Sequence, residues 1–312
     1  MIPVEARQLV KRYGGLVAVD RVDLTVEAGD VFGYLGPNGA GKTTSLRMLL
    51  GLIRPTSGSV RLFGRDPLVD GAKALDGVAG FVEGPRFYPY LSARRNLRLL
   101  ADYDGGGSPG RVEEVLDVVD LRDRGGDRVG GFSHGMKQRL GIAASLLRDP
   151  RLLLLDEPTT GLDPAGMRDM RALVRRLAGE GITILLSSHL LNEVEEVCNR
   201  VAIIRAGRIV YEGTLAALKS AAAGGYRLRT TDPGRALAAA AERLDARLAG
   251  DEVCFAADED AVAALTVELG RAGIGVLALV PEQASLEELF LDLTEQPRDP
   301  EPAVVEPEGA LA

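Results

Sequence analysis

Gly36-Pro37-Asn38-Gly39-Ala40-Gly41-Lys42-Thr43-Thr44 is the stretch that decides how this chain of 312 residues reads. It satisfies G-x-x-x-x-G-K-[ST], a loop that cradles phosphates. Each residue type has a physical task there. Glycines let the backbone turn its N–H groups inward at a helix N-terminus, where an anion is favoured. Lys42 brings a mobile point charge to β- and γ-phosphates, and the Thr43 hydroxyl can ligate Mg²⁺. The flanks agree. An apolar run, Val31-Phe32-Gly33-Tyr34-Leu35, precedes the loop, and residues 44–50 have helical character, giving strand–loop–helix. Binding of a nucleotide is therefore expected.

Composition bounds the remaining choices. Hydrophobic residues make up 46% of the chain, enough for a sizeable core, while aromatics at 4% and no Trp make that core aliphatic. A net charge of −8 argues against a nucleic-acid partner, because a phosphate backbone demands a basic face. Cys198 and Cys254 are far apart and lack metal spacing, so they read as reduced, buried thiols of a cytosolic protein. The N-terminus has no signal-peptide pattern, and apolar runs such as 152–155 and 273–280 are too short to span a bilayer.

Along the chain, strands are expected at 4–10, 19–26 and 30–35, then a turn at 55–58 and a strand at 59–63. Pro85 and Pro89 open a helical stretch with helices from Arg94 and Arg111 and a glycine-rich linker at 105–110. Alternation returns with strands at 152–156, 183–187, 201–205 and 208–212 and helices at 165–178 and 190–199. This pattern implies an α/β fold with a mostly parallel sheet and a helical insertion. Beyond 221–225 a small α+β module is expected, with strands at 226–230, 252–256 and 274–280. Its helices fall at 233–248, 258–271 and 285–294, the last opened by a Ser285/Glu288 capping box. Residues 297–312, rich in Pro and Glu, are expected to be disordered.

Two further constellations carry chemistry. Leu152-Leu153-Leu154-Leu155-Asp156-Glu157 reads as a buried strand delivering two carboxylates at its C-terminal end, where parallel sheets place their ligand crevice. Asp156 suits Mg²⁺ and Glu157 suits a general base acting on water. Phe132-Ser133-His134-Gly135-Met136 places a serine cap and a glycine at the head of a helix, a second anion-binding end. Alone, each would be an acidic turn or an ordinary capped helix. Two such ends for one triphosphate suggest a site shared between two molecules.

With these motifs in order, residues 4–217 resemble an ATP-binding cassette (ABC) ATPase, the nucleotide-binding subunit of a transporter. Residues 36–44 resemble its Walker A, 152–157 its Walker B, 132–136 its signature and Gly161-Leu162-Asp163 its D-loop. His189 resembles its switch histidine, and Tyr13 stands where the family stacks an aromatic on adenine. The resemblance implies a P-loop cassette with a parallel-sheet core, an antiparallel β subdomain and a helical insertion at about 84–150. It also implies residues 1–220 as the ATPase domain and 221–296 as an accessory domain. Two cassettes, with a homodimer the expectation, would close head-to-tail on two ATP. Ser133 and the Gly135 N–H would then face the γ-phosphate held by the other copy's Lys42, with Asp163 communicating across the interface. His189 would position Glu157 and water.

Two positions depart from the family pattern. Glu83 stands where the family has the Q-loop glutamine, a catalytic and metal-ligating position, and His134 replaces the first signature glycine. Glu83 with the following Pro-x-Phe-Tyr-Pro-Tyr-Leu-Ser is similar to exporters of the bacitracin and lantibiotic self-protection type, although Arg95 stands where that branch often has Glu. The end of the chain, 285–291, is similar to ABC-2 exporters of the daunorubicin-resistance type. The implied partner is an integral membrane permease of ABC-2 type, placing the chain on the inner face of the cell membrane. Phe87-Tyr88-Pro89-Tyr90 is the expected docking stretch. The alternative, a soluble ABC ATPase acting on ribosomes or DNA, predicts two cassettes in one chain or a long coiled coil, and neither pattern is present.

Overall fold

A computed structural model describes residues 1–103, 109–222, 225–241 and 243–282, together with Phe290 and Leu293. The chain opens with β1 (Val4–Tyr13), β2 (Leu16–Val26), β3 (Val31–Leu35), α1 (Lys42–Leu49) and β4 (Ser57–Leu62). β1 lies between β2 and β4 in a three-stranded antiparallel sheet. β4 begins two residues before the expected strand. Pairing with β1 draws Ser57 and Gly58 out of the anticipated turn, with Ser57 opposite Val10.

Next come β5 (Val78–Phe81), α2 (Ala93–Tyr103), α3 (Pro109–Val118) and α4 (His134–Leu146), then β6 (Leu152–Asp156), α5 (Pro164–Gly179) and β7 (Thr183–Ser188). α6 (Leu191–Val197), β8 (Arg200–Arg205) and β9 (Arg208–Thr214) complete a six-stranded sheet of order β5-β6-β7-β3-β8-β9. Only β9 runs antiparallel, as a hairpin with β8. Both faces of the sheet are covered, so its strands are continuous apolar runs. Alternation sorts them. Leu152 and Leu154 join Phe32, Tyr34 and Leu185 in the core under the antiparallel sheet and α1. Leu153, Leu155, Ile184 and Leu186 point the other way into the core beneath the helices.

The edge strand β5 is not expected from sequence. Gly80 adopts φ 150°, and a Cβ built there would stand 1.9 Å from the Leu154 carbonyl oxygen. Gly80→Ala should therefore cost about 3 kcal/mol by forcing β5 off β6, read as a lower denaturant midpoint at unchanged m-value; an unchanged midpoint would contradict this packing.

The remaining chain comprises α7 (Leu215–Ala222), β10 (Gly225–Thr230), α8 (Pro233–Ala241), β11 (Ala246–Ala249), β12 (Glu252–Ala256), α9 (Glu259–Arg271) and β13 (Val276–Glu282). Its sheet has the order β11-β12-β10-β13, all antiparallel, the split βαββαβ arrangement. The helix expected at 233–248 ends at Ala241. Ala246–Ala249 instead pairs with β12 across a two-residue turn, with Gly250 at φ 65°. Leu228, Val253, Phe255, Ala236, Val262 and Leu269 form a separate core. The expected capping box at Ser285 and the disordered 297–312 lie outside the described residues, as does most of the linker at 105–110. Phe290 and Leu293 pack against the core beneath the helices of the larger unit. Among the described residues no helix is long and apolar enough to cross a membrane. Cys198 and Cys254 are free and buried.

Candidate functional site

Strand register assembles the site. Leu35 pairs with Ser188, Asp156 with Ser187, and Leu155 with Phe81, all in parallel. The loop at 36–41, Glu83, Asp156-Glu157 and His189 therefore leave the sheet at the carboxyl ends of its parallel strands, where open α/β sheets bind ligands.

The loop is shaped by its glycines. Gly41 has φ 106°, and a Cβ there would lie 2.4 Å from the Ala18 carbonyl oxygen; one on Gly36 would lie 2.3 Å from the Ile204 oxygen. Strands β2 and β8 thus press on the loop so closely that only glycine fits. α1 starts at Lys42 with no side chain capping its first turn, leaving N–H groups for an anion. The buried Lys42 ammonium donates to the Gly36 oxygen at 2.6 Å and the Pro37 oxygen at 3.2 Å, and lies 3.1 Å from Glu157 Oε1.

Glu157 is the hub. Its Oε2 accepts from Thr160 Oγ1 at 2.8 Å and faces His189 Nδ1 at 2.6 Å. Burial pushes this carboxyl upward, but Thr160, His189 and Lys42 together hold it below its ordinary 4.5. An ionised carboxylate only accepts, so Nδ1 carries the ring proton and Nε2 is left for another partner. Glu157 itself has φ 49°, a left-handed conformation that a non-glycine residue adopts at a cost of about 1–3 kcal/mol.

Asp156 is buried. Its Oδ1 accepts from Ser187 Oγ at 2.6 Å, and its Oδ2 accepts from Thr43 Oγ1 at 2.9 Å and from the Glu83 N–H at 3.3 Å. Ser187 Oγ also accepts from the Glu157 N–H at 2.9 Å, locking the two acids together. The donor set of Thr43 hydroxyl plus one carboxylate suits a hard cation whose other ligands are phosphate oxygens and water. The residues present therefore fit Mg²⁺.

Glu83 reaches this pair only through its backbone. Its half-exposed side chain is ion-paired with Arg47 of α1, so the extra negative charge has a cation beside it. Tyr13 ends β1 with an exposed ring and the Lys11 ammonium 5.0 Å from its centroid. Ser133 caps α4 by accepting from the Met136 N–H at 3.2 Å, and its side chain is exposed. Asp163 caps α5 through Oδ1 and the Gly166 N–H at 2.9 Å. The segment at 161–162 lies on the head of α4: a Cβ on Gly161 would stand 3.4 Å from the His134 ring, and one on Gly135 3.5 Å from Leu162. Sequence reading missed Thr160, Ser187 and Arg47. Each is a single polar residue beside a recognised motif, and only strand register gives it a partner.

The comparisons with known proteins agree with this geometry. The family model described as ABC transporter matches residues 19–160. The chain is 38% identical to the bacitracin transport ATP-binding protein BcrA of Bacillus licheniformis, over 93% of this chain and 96% of that protein. It is 37% identical to the daunorubicin/doxorubicin resistance ATP-binding protein DrrA of Streptomyces peucetius, over 95% and 93% respectively. Among solved structures, an ATP-binding subunit of an ABC transporter matches with a TM-score of 0.62 and 30% identity, covering 70% of this chain and 92% of that one. A phosphate loop, a paired acid and a histidine at the carboxyl ends of one sheet, in a chain that aligns with such relatives over more than nine-tenths of its length, identify it as a member of the ABC transporter family, an ATP-binding subunit with ATPase activity.

Proposed function

We propose that this chain is the ATP-driven motor of an exporter, working through a separate membrane permease of ABC-2 type. Lys42 and His189, each within contact distance of the Glu157 carboxylate, are the observation that carries the reading. Two copies close head-to-tail on two ATP, residues 36–44 of one and Ser133 and Gly135 of the other sharing each terminal phosphate. Tyr13 stacks on adenine. Lys42 exchanges Glu157 for the β- and γ-phosphates, which frees the carboxylate to take a proton from water, while His189 holds it in place. Thr43 and Asp156 would hold Mg²⁺, joined by Glu83 once its side chain leaves Arg47, and the ion would supply charge neutralisation for the phosphates. Asp163, which caps α5 directly after the 161–162 segment on the head of α4, links the two sites. Closure biases the permease toward one orientation and hydrolysis reopens the dimer.

Residues 1–220 form the motor and 221–296 an accessory module for dimer contact or regulation. Tyr88 and Tyr90, both exposed with ring centroids 5.8 Å apart, support the insertion as the permease dock, whereas Phe87 packs into the core. The exported cargo belongs to the class of drugs, peptides or lipid-like molecules; the relatives BcrA and DrrA are named for bacitracin transport and for daunorubicin/doxorubicin resistance. Co-expression with a multi-span membrane protein of ABC-2 permease type, where an adjacent gene encodes one, tests the proposal. The expected result is a detergent-stable complex whose ATP turnover exceeds that of the chain alone; co-sedimentation with ribosomes and no membrane complex would overturn it.

A further inference from the structure

Glu193, in α6, is 3% exposed, a carboxylate inside the core. Its Oε2 accepts from Ser188 Oγ at 2.7 Å, while its buried Oε1 has no hydrogen-bond partner among the described residues. Burying a carboxylate with one oxygen unpaired is costly. What the carboxylate does hold is the chain on both sides of His189. Ser188 Oγ, fixed by Glu193, accepts from the Leu190 N–H at 3.0 Å and lies 3.3 Å from the Leu190 oxygen. The Ser188 carbonyl accepts from the Gly36 N–H at 3.2 Å, joining the same point to the phosphate loop. One buried acid thereby ties the residue before His189 to the residue after it. The ring between them meets Glu157 at 2.6 Å.

We infer that Glu193 is a positioning residue for hydrolysis, holding the backbone at Ser188-His189-Leu190 so that the imidazole stays on Glu157. Its carboxylate lies inside the core and acts through the Ser188 hydroxyl. The inference rests on the role given to His189 above, so its test includes a readout independent of turnover. The chain has two histidines, His134 and His189, so ring-labelled full-length protein gives two imidazole signals, assigned with a His134→Gln variant. In Glu193→Ala the His189 signal should shift or broaden while that of His134 stays put. In Glu193→Gln, which keeps an acceptor oxygen for Ser188, it should remain at the parent position. ATP turnover by the same proteins should show kcat lowered about 10- to 100-fold in Glu193→Ala with KM within about twofold, and largely restored in Glu193→Gln. Ser188→Ala should reproduce Glu193→Ala, and the double variant should be no slower than either. An unmoved His189 signal in Glu193→Ala overturns the positioning role whatever the turnover. A moved signal with unchanged kcat leaves the positioning intact and overturns the role of His189 in hydrolysis.

Discussion

Glu157→Gln is expected to bind ATP as the parent does and to hydrolyse it about 10²- to 10⁴-fold more slowly, the contribution of a positioned general base. That span corresponds to about 3–5.5 kcal/mol of barrier. The substitution is nearly isosteric, so Thr160 and His189 keep a partner, and what disappears is the ability to accept a proton. The Glu157 carboxyl lies below its ordinary 4.5 because Thr160, His189 and Lys42 outweigh the opposing effect of burial. In the nucleotide-free chain it is therefore ionised throughout the neutral range, and the acid limb of kcat/KM due to this group should fall below about pH 4.5. The same depression stabilises the fold. That contribution is complete above the unfolded value near 4.5 and is lost as pH falls through the lower folded value. Single-turnover kinetics with matched ATP affinities reads the effect, and turnover at the parent rate would remove Glu157 from the role of base.

Lys42→Met should act on the other half of the cycle. The Lys42 side chain is buried against Gly36, Pro37 and Glu157, and methionine fills its volume without its charge. Truncating one partner of a buried, hydrogen-bonded charge pair costs about 2–4 kcal/mol, so ATP affinity should fall about 30- to 1,000-fold. Loss of the ammonium also removes one of the groups holding the Glu157 carboxyl down, so that carboxyl should titrate higher in the variant than in the parent. Titration calorimetry measures the first effect. Affinity within about threefold of the parent would mean that the ammonium does not reach the phosphates.

How much of this was legible in sequence depended on whether a residue's role is local or tertiary. The phosphate loop and the strand before Asp156 could be read directly, because glycine spacing and an unbroken leucine run are properties of consecutive residues. β5 could not, since Val78-Ala79-Gly80-Phe81 is a short stretch with a glycine in it and becomes a strand only by pairing with β6. β11 was hidden inside an alanine-rich run whose local preference is helical, and pairing with β12 overrode that preference. Lys42, Glu157 and His189 were found through their motifs. Thr160, Ser187 and Glu193 were not, because one hydroxyl or one acid carries no pattern until strand register supplies its neighbour. Glu83 was legible as a position but not in its company, for nothing in the sequence pairs it with Arg47.

The shared site is tested most directly by the mass in solution of Glu157→Gln protein with saturating ATP and Mg²⁺, read by light scattering. Our account predicts that this protein shifts from one chain to two on adding nucleotide, and that Ser133→Ala weakens the shift. A protein that binds ATP yet remains a single chain, alone and beside its permease, would contradict the sandwich and the transport mechanism built on it.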